Sequence, residues 1–146
     1  MAVPGHVRDL HDYWVWAERL FDESGGFLSL GFLELSPVEV GSDEWIQLIV
    51  PKQRLEFHDR SYLDFRFLVN RDLELIYYSF HYARWDGQLV FRLDRHASGH
   101  EQVDGGDSHI HLPGDERKPH GVIGLDDVLD LIKTDQADDR RPKTPR

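Results

Sequence analysis

The chain carries nine histidines and no cysteine, which narrows the chemistry it can offer. Imidazole can move protons or share an anion with arginine, and a metal would have to be held by nitrogen and oxygen alone. One constellation comes from counting across a turn. His81 stands in the strand-like run Leu73 to Trp85 and Arg92 in the run Gln88 to Asp94, with Asp86-Gly87 between them. Asp-Gly between two such runs signals a hairpin, because a type I′ turn needs positive φ at both central positions. A two-residue loop there sets Trp85 opposite Gln88, Ala83 opposite Val90, His81 opposite Arg92 and Ser79 opposite Asp94. Opposed Cβ atoms lie about 4.5–5.5 Å apart and i, i+2 neighbours about 7 Å apart, so these four side chains can converge on one small ligand. Arginine beside histidine is a poor structural pair, since the cation disfavours a protonated imidazole, but an anion between them is welcomed by both. The alternative is a solvated sheet face on which Arg92 pairs with Asp94 and His81 fills space.

A further constellation is His109-Ile110-His111, with His96, His100 and His120 nearby. His-x-His places two imidazoles on one side of an extended segment, where they can chelate zinc or a similar ion, with Asp94 or Asp107 adding an oxygen. The same histidines can equally serve as acid and base. No phosphate-binding glycine loop, nucleophile elbow or His-Glu-x-x-His helix accompanies them.

The elements that would hold these residues read as one α+β domain over residues 1–133. From Val7 to Phe21 apolar residues recur at helical spacing, and Ser24-Gly25-Gly26 ends the helix. Phe27 to Leu35 and Trp45 to Val50 read as strands separated by a turn around Pro37 and Gly41. Pro51 is expected to break the second of them before a short strand from Arg54 to His58. Leu63, Phe65, Phe67 and Val69 alternate with polar residues as a half-buried strand does. Across a tight turn at Asn70-Arg71, Tyr62 falls opposite Ser79 and Asp64 opposite Tyr77. One non-core face then gathers Tyr62, Asp64, Arg66, Tyr77, Ser79, His81, Arg92 and Asp94, while Ile76, Tyr78, Phe80, Tyr82, Phe91 and Leu93 face the core. Arg95 to Gly121 shows no period and reads as a long loop. Leu125, Val128, Leu129 and Ile132 form a short amphipathic helix, and Thr134 to Arg146 is expected to be a disordered polar tail. The fold class is therefore α+β, an antiparallel sheet of about five to six strands flanked by an N-terminal and a short C-terminal helix.

The formal charge of −10 argues against diffuse capture of nucleic acid by a broad basic groove, though not against a local cationic pocket. The absence of cysteine suits a reducing compartment, and no basic segment leads into an apolar stretch at Met1 to Arg8. No run approaches the roughly 20 apolar residues of a membrane span, so a cytoplasmic protein is expected.

The run Tyr78-Ser79-Phe80-His81-Tyr82, the turn Asp86-Gly87, Leu89-Val90-Phe91-Arg92-Leu93-Asp94 and then His109-Ile110-His111 before a leucine-rich helix resemble the TumE-type toxin family of prokaryotic toxin–antitoxin systems. The resemblance covers roughly Leu55 to Ile132. Its most specific part is the ordered set Ser79-x-His81, Arg92-x-Asp94, His109-x-His111. Phe80 stands where the family pattern has tyrosine, and Arg95-His96-Ala97-Ser98-Gly99-His100 replaces its Pro-His-His pattern. The N-terminal stretch to Val50 and the tail are not recognisably shared. The resemblance implies a growth-inhibiting toxin held in check by a cognate antitoxin protein.

Taken with the residues, it yields one leading expectation, a type II toxin acting on RNA as a metal-independent ribonuclease without a cofactor. His81, Arg92, Asp94, His109 and His111 are the candidate catalytic set: a base, an acid, a cation for the phosphorane and an orienting carboxylate. Tyr62, Tyr77, Ser79 and His100 are candidates for binding substrate, the tyrosines by stacking on a base. The alternatives are a non-enzymatic protein-binding toxin or regulator, and a nuclease dependent on a divalent metal at His109, His111 and Asp94.

Overall fold

A computed structural model describes residues 3–41, 44–95, 108–121, 123–138 and 140–141. Helix α1 (Leu10–Glu23) begins later than the apolar period because the carboxylate of Asp9 accepts from the backbone N–H of Asp12 at 2.8 Å and caps it. The strands follow as β1 (Phe27–Leu28), β2 (Ser36–Val40), β3 (Glu44–Glu56), β4 (Tyr62–Asn70), β5 (Leu75–Ala83), β6 (Leu89–Arg95), β7 (Ser108–Leu112) and β8 (Glu116–Pro119), before α2 (Leu125–Gln136). They form one antiparallel sheet in the order β1-β3-β4-β5-β6-β7-β8, with β2 also beside β3. The class is α+β, with eight strands among the described residues in place of the expected five to six.

Several expected boundaries move, each for a physical reason. The strand from Phe27 stops at Leu28, where a turn closes with the Gly31 N–H donating to the Leu28 carbonyl. Pro37 lies in a strand, not a turn, and pairs only with β3, where a residue without an N–H is tolerated at a sheet edge. Pro51 does not break β3. It falls with Lys52 in a register shift between Val50 and Gln53, so the ladder gives up a donor only where it is already interrupted. Arg95 to Gly121 is not structureless, because β7 and β8 form a hairpin around Pro113-Gly114-Asp115, with Gly114 at φ +81° and Asp115 at φ +61°. Proline-glycine after an alternating run is itself a turn signal.

Two hairpins set the register of the polar face. The turn before β6 is not type I′: Gly87 has φ +84° whereas Asp86 does not have positive φ. The Gly87 N–H donates to Arg84 and the Arg84 N–H to Gln88, which makes a three-residue loop closed by a left-handed glycine. Ala83 accordingly pairs with Leu89, not Val90, and a bulge at Val90 restores Tyr82 to Phe91 and His81 to Arg92. The loop residue and the bulge cancel, so His81 meets Arg92 and Ser79 meets Asp94 as counted. The turn after β4 is also longer than two residues, with the Leu73 N–H donating to Asn70 and the Asn70 N–H to Glu74. Tyr62 therefore pairs with Ala83 and Asp64 with His81, not with Ser79 and Tyr77. The slip is an even number of residues, so every side chain keeps its face. Ile76 sits in a bulge and is only partly buried, and Leu75 takes a core position instead.

One sheet face is the core. Leu63, Phe65, Phe67 and Val69 of β4, Tyr78, Phe80 and Tyr82 of β5, and Phe91 and Leu93 of β6 are buried in one cluster with Phe21 and Ala17 of α1 and Leu125, Val128 and Ile132 of α2. Phe21 stacks on Phe65 with ring centroids 4.8 Å apart. Helix α2 runs on through Thr134, Asp135 and Gln136, so the segment expected to be a disordered tail begins as helix. Arg141 then returns to the body, its guanidinium 2.7 Å from Asp59 and 3.4 Å from Asp135. Residues 142–146 lie outside the described residues.

Candidate active site on the open sheet face

Away from the helices, two rows of side chains cross the sheet at right angles to the strands. One runs Arg54, Asp64, His81, Arg92, His111 and Arg117, each register partner of the next. The adjacent row runs Arg66, Ser79, Asp94 and His109. The rows exist because residues at even spacing on neighbouring strands share a face, and antiparallel pairing stacks them side by side.

Asp94 is the hub. Its side chain is only 3% exposed, and its Oδ2 lies 2.9 Å from Arg92 Nε, 3.2 Å from His111 Nε2 and 3.6 Å from His109 Nε2. A buried carboxylate is tolerated when charge and hydrogen-bond donors surround it, which these groups supply. His109 is as buried as Asp94 and meets His111 edge-on, with ring centroids 4.7 Å apart. His111 is more open, and Arg92 is the most exposed of the cluster. His81, on the other side of Arg92, is held below the usual imidazole pKa, first by burial and further by the charges of Arg92 and Lys52, against Asp64 and Asp94. It is therefore more readily neutral than an exposed histidine.

Of the candidate residues, His81, Arg92, Asp94, His109, His111 and Ser79 come together in these two rows. Tyr62 and Tyr77 lie on the same face but at its two ends, one row beyond His81 and one row beyond Ser79. Each ring already carries a guanidinium: that of Arg54 lies 4.0 Å from the centre of the Tyr62 ring, and that of Arg66 5.4 Å from the Tyr77 ring. His100, like His96 and Asp107, falls outside the described residues. The Nδ1 of His120 lies 3.0 Å from the Gly121 carbonyl oxygen. Sequence reasoning misses Lys52 altogether, because a residue inside a bulge has no place in a two-residue alternation. Two depressions, of about 350 and 430 Å³, meet at His81 and Arg92. One opens toward Lys52 and Arg66, the other toward the β7–β8 turn.

Asp94, His109 and His111 also qualify as metal donors, each offering an atom within 4.8 Å of the others. Two imidazole nitrogens and a carboxylate oxygen are a set that zinc accepts. Against this, Arg92 already bonds the same carboxylate and puts a fixed cation beside the point where a metal's charge would fall.

An antiparallel sheet with helices on its core face, and imidazole, guanidinium and carboxylate gathered on the other, defines an α+β protein equipped for acid–base and anion chemistry. The profile of the family described as Toxin TumE matches residues 39–138, from β2 through the end of α2. The chain belongs to the toxin TumE family. The match begins well before Leu55 and takes in all of β3, including residues up to Val50 whose sequence alone carries no recognisable resemblance. No curated protein and no solved structure matches the chain. Among the described residues no helix is long and apolar enough to cross a membrane.

Proposed function

We propose that this chain is the toxin of a type II toxin–antitoxin pair and that it cleaves RNA without a metal, by the chemistry of the His81–Arg92–His111 row. The observation that carries the reading is the register itself: a neutral-leaning imidazole and a carboxylate-bound imidazole stand on either side of one guanidinium. His81 takes the proton from a ribose 2′-OH, and that oxygen attacks the adjacent phosphorus. The bond from phosphorus to the 5′-oxygen breaks, and His111, acting as the general acid, gives that oxygen its proton. The products are a 2′,3′-cyclic phosphate and a 5′-hydroxyl. Arg92 faces the charge that builds on the phosphorane, and Asp94 orients Arg92 and His111. His109, buried behind them, positions Asp94. Family membership supports a cognate antitoxin as the partner, and an RNA substrate implies that the toxin acts in the cytoplasm.

The donor set at Asp94, His109 and His111 favours a second reading, a nuclease that binds a divalent metal there, which would act as a Lewis acid on the phosphate. One experiment separates the readings. Arg92→Ala, His81→Ala and His111→Ala should each relieve growth inhibition at unchanged expression, and the double change His81→Ala with Arg92→Ala should be little worse than either alone, since groups acting as a unit are not additive. Purified protein dialysed against chelator should still cut RNA. Loss of cutting on chelation, restored by zinc, would move the reading to the metal. Full toxicity of both the Arg92 and the His81 variants would leave a protein that acts by binding alone.

A further inference from the structure

The depression beside His81 holds two cations that the cleavage row does not use. Lys52 and Arg66 are both exposed, and neither has an acidic partner among the described residues. The one carboxylate on that wall that lies away from the hub, Asp64, is already spent on Arg54, which grips it with two hydrogen bonds of 2.7 and 3.0 Å. A chain of net charge −10 thus turns locally positive at this place. Lys52 is there because β3 bulges. The register shift between Val50 and Gln53 leaves Pro51-Lys52 outside regular pairing and turns a lysine onto the polar face. Its charge reaches His81, whose pKa it helps to lower.

Resting on the reading of the site as one that acts on RNA, we propose that Lys52 and Arg66, with the Ser79 hydroxyl between β4 and β6, form a second phosphate subsite. It holds the phosphate of a nucleotide next to the one cleaved, so the strand lies across β6 to β3 instead of along them. Arg66 stands two strands and one row from Arg92, or about 10 Å across and about 7 Å along the sheet. That is the reach of one or two nucleotides of extended single strand. The depression is continuous with the row through His81 and Arg92, which line both, and this continuity favours a strand that carries the scissile phosphate over a separate acidic peptide.

The test uses binding, so that it does not depend on cleavage. A fluorescent 2′-O-methyl oligouridylate lacks the attacking hydroxyl and cannot be cut by the proposed route. Its affinity is measured by anisotropy across a salt series for the wild type, for Lys52→Gln with Arg66→Gln, and for Arg19→Gln on α1 with Lys133→Gln on α2, a control that removes the same two charges. The double variant should bind roughly tenfold more weakly at low salt, and its slope of log K against log salt should be shallower by about 0.7 for each phosphate it no longer neutralises. The control should match the wild type. Equal affinity and slope in the double variant, or no binding by the wild type, overturns the proposal. So does a result in which the oligonucleotide is bound no better than poly-glutamate of equal charge, which marks a general dock for acidic segments. If the binding differences appear but unmodified RNA is never cut, the subsite stands and the catalytic reading falls.

Discussion

At the scale of single residues, the environment of His81 makes a signed claim about pH. Burial, Arg92 and Lys52 all press its pKa below the ordinary value, so His81, the base of the proposed cleavage, stays neutral to a lower pH than a free imidazole would. The acid limb of kcat/KM for RNA cleavage should therefore fall below about pH 6.5. Lys52→Gln removes one of the pressing charges and should move that limb upward. A pH profile with its acid limb at or above the ordinary imidazole value would contradict the assignment. Stability follows the same sign. The unfolded chain binds a proton at His81 more readily than the fold does, so stability is lost as pH falls from about 6.5 toward the lower folded value. Much of the site is legible at this scale, since Ser79, His81, Arg92 and Asp94 need only an even count across a turn. That Asp94 is a buried hub is not legible, because burial of a polar-face residue depends on β7, and the sequence around β7 reads as loop.

The hairpins show where the rules that read the face also mislead. Asp86-Gly87 looks like a two-residue turn, but Gly87 alone takes the left-handed conformation, and a bulge at Val90 corrects the register. A turn and a bulge that cancel leave no trace in a periodicity count, and so a wrong turn type still predicts the right partners. The β4–β5 turn has no such compensation, and there the count misses the partners of Tyr62 and Asp64 while placing both on the right face. Gly87→Ala tests the turn. A Cβ there meets nothing within 4 Å, so the cost is conformational, about 1–2 kcal/mol, and should appear in chemical denaturation as a lower midpoint with an unchanged slope. A neutral outcome would mean that the loop adopts another closure.

Across the whole molecule, the described chain after α2, as far as Arg141, is tied to the body. Arg141 is nearly buried and bridges Asp59, in the β3–β4 turn, to Asp135 at the end of α2. Asp135 also takes Arg84 at 3.2 Å and the hydroxyl of Tyr82 at 3.3 Å. The sequence offers only a charged, proline-bearing tail there, since ion pairs between distant segments have no period. A disordered tail could be removed from Thr134 to Arg146 with folding intact, whereas the ion pairs of Asp135 and Arg141 lead to the opposite prediction. Arg141→Ala should cost about 1–3 kcal/mol by taking away the bridge between Asp59 and Asp135. Truncation after Lys133 should cost more and lower Tm by several degrees or more, measured by calorimetry. An unchanged Tm in the truncated chain would show the clasp to be ornamental.

The connection between β6 and β7 divides the molecule in a way that matters for anyone who handles it. His81, Arg92 and Asp94 precede residue 96, whereas His109, His111 and all of α2 follow residue 107. A chain opened within that connection would give two pieces, neither holding all the residues of the proposed site. The longer would lose β7, the second partner strand of Leu93 and Asp94, and the shorter would carry the apolar stripe of Leu125, Val128 and Ile132 that the core requires. Such halves have every reason to find each other, and lethality would then report on their meeting: a cell that carries both would stop growing, and one that carries either alone would not.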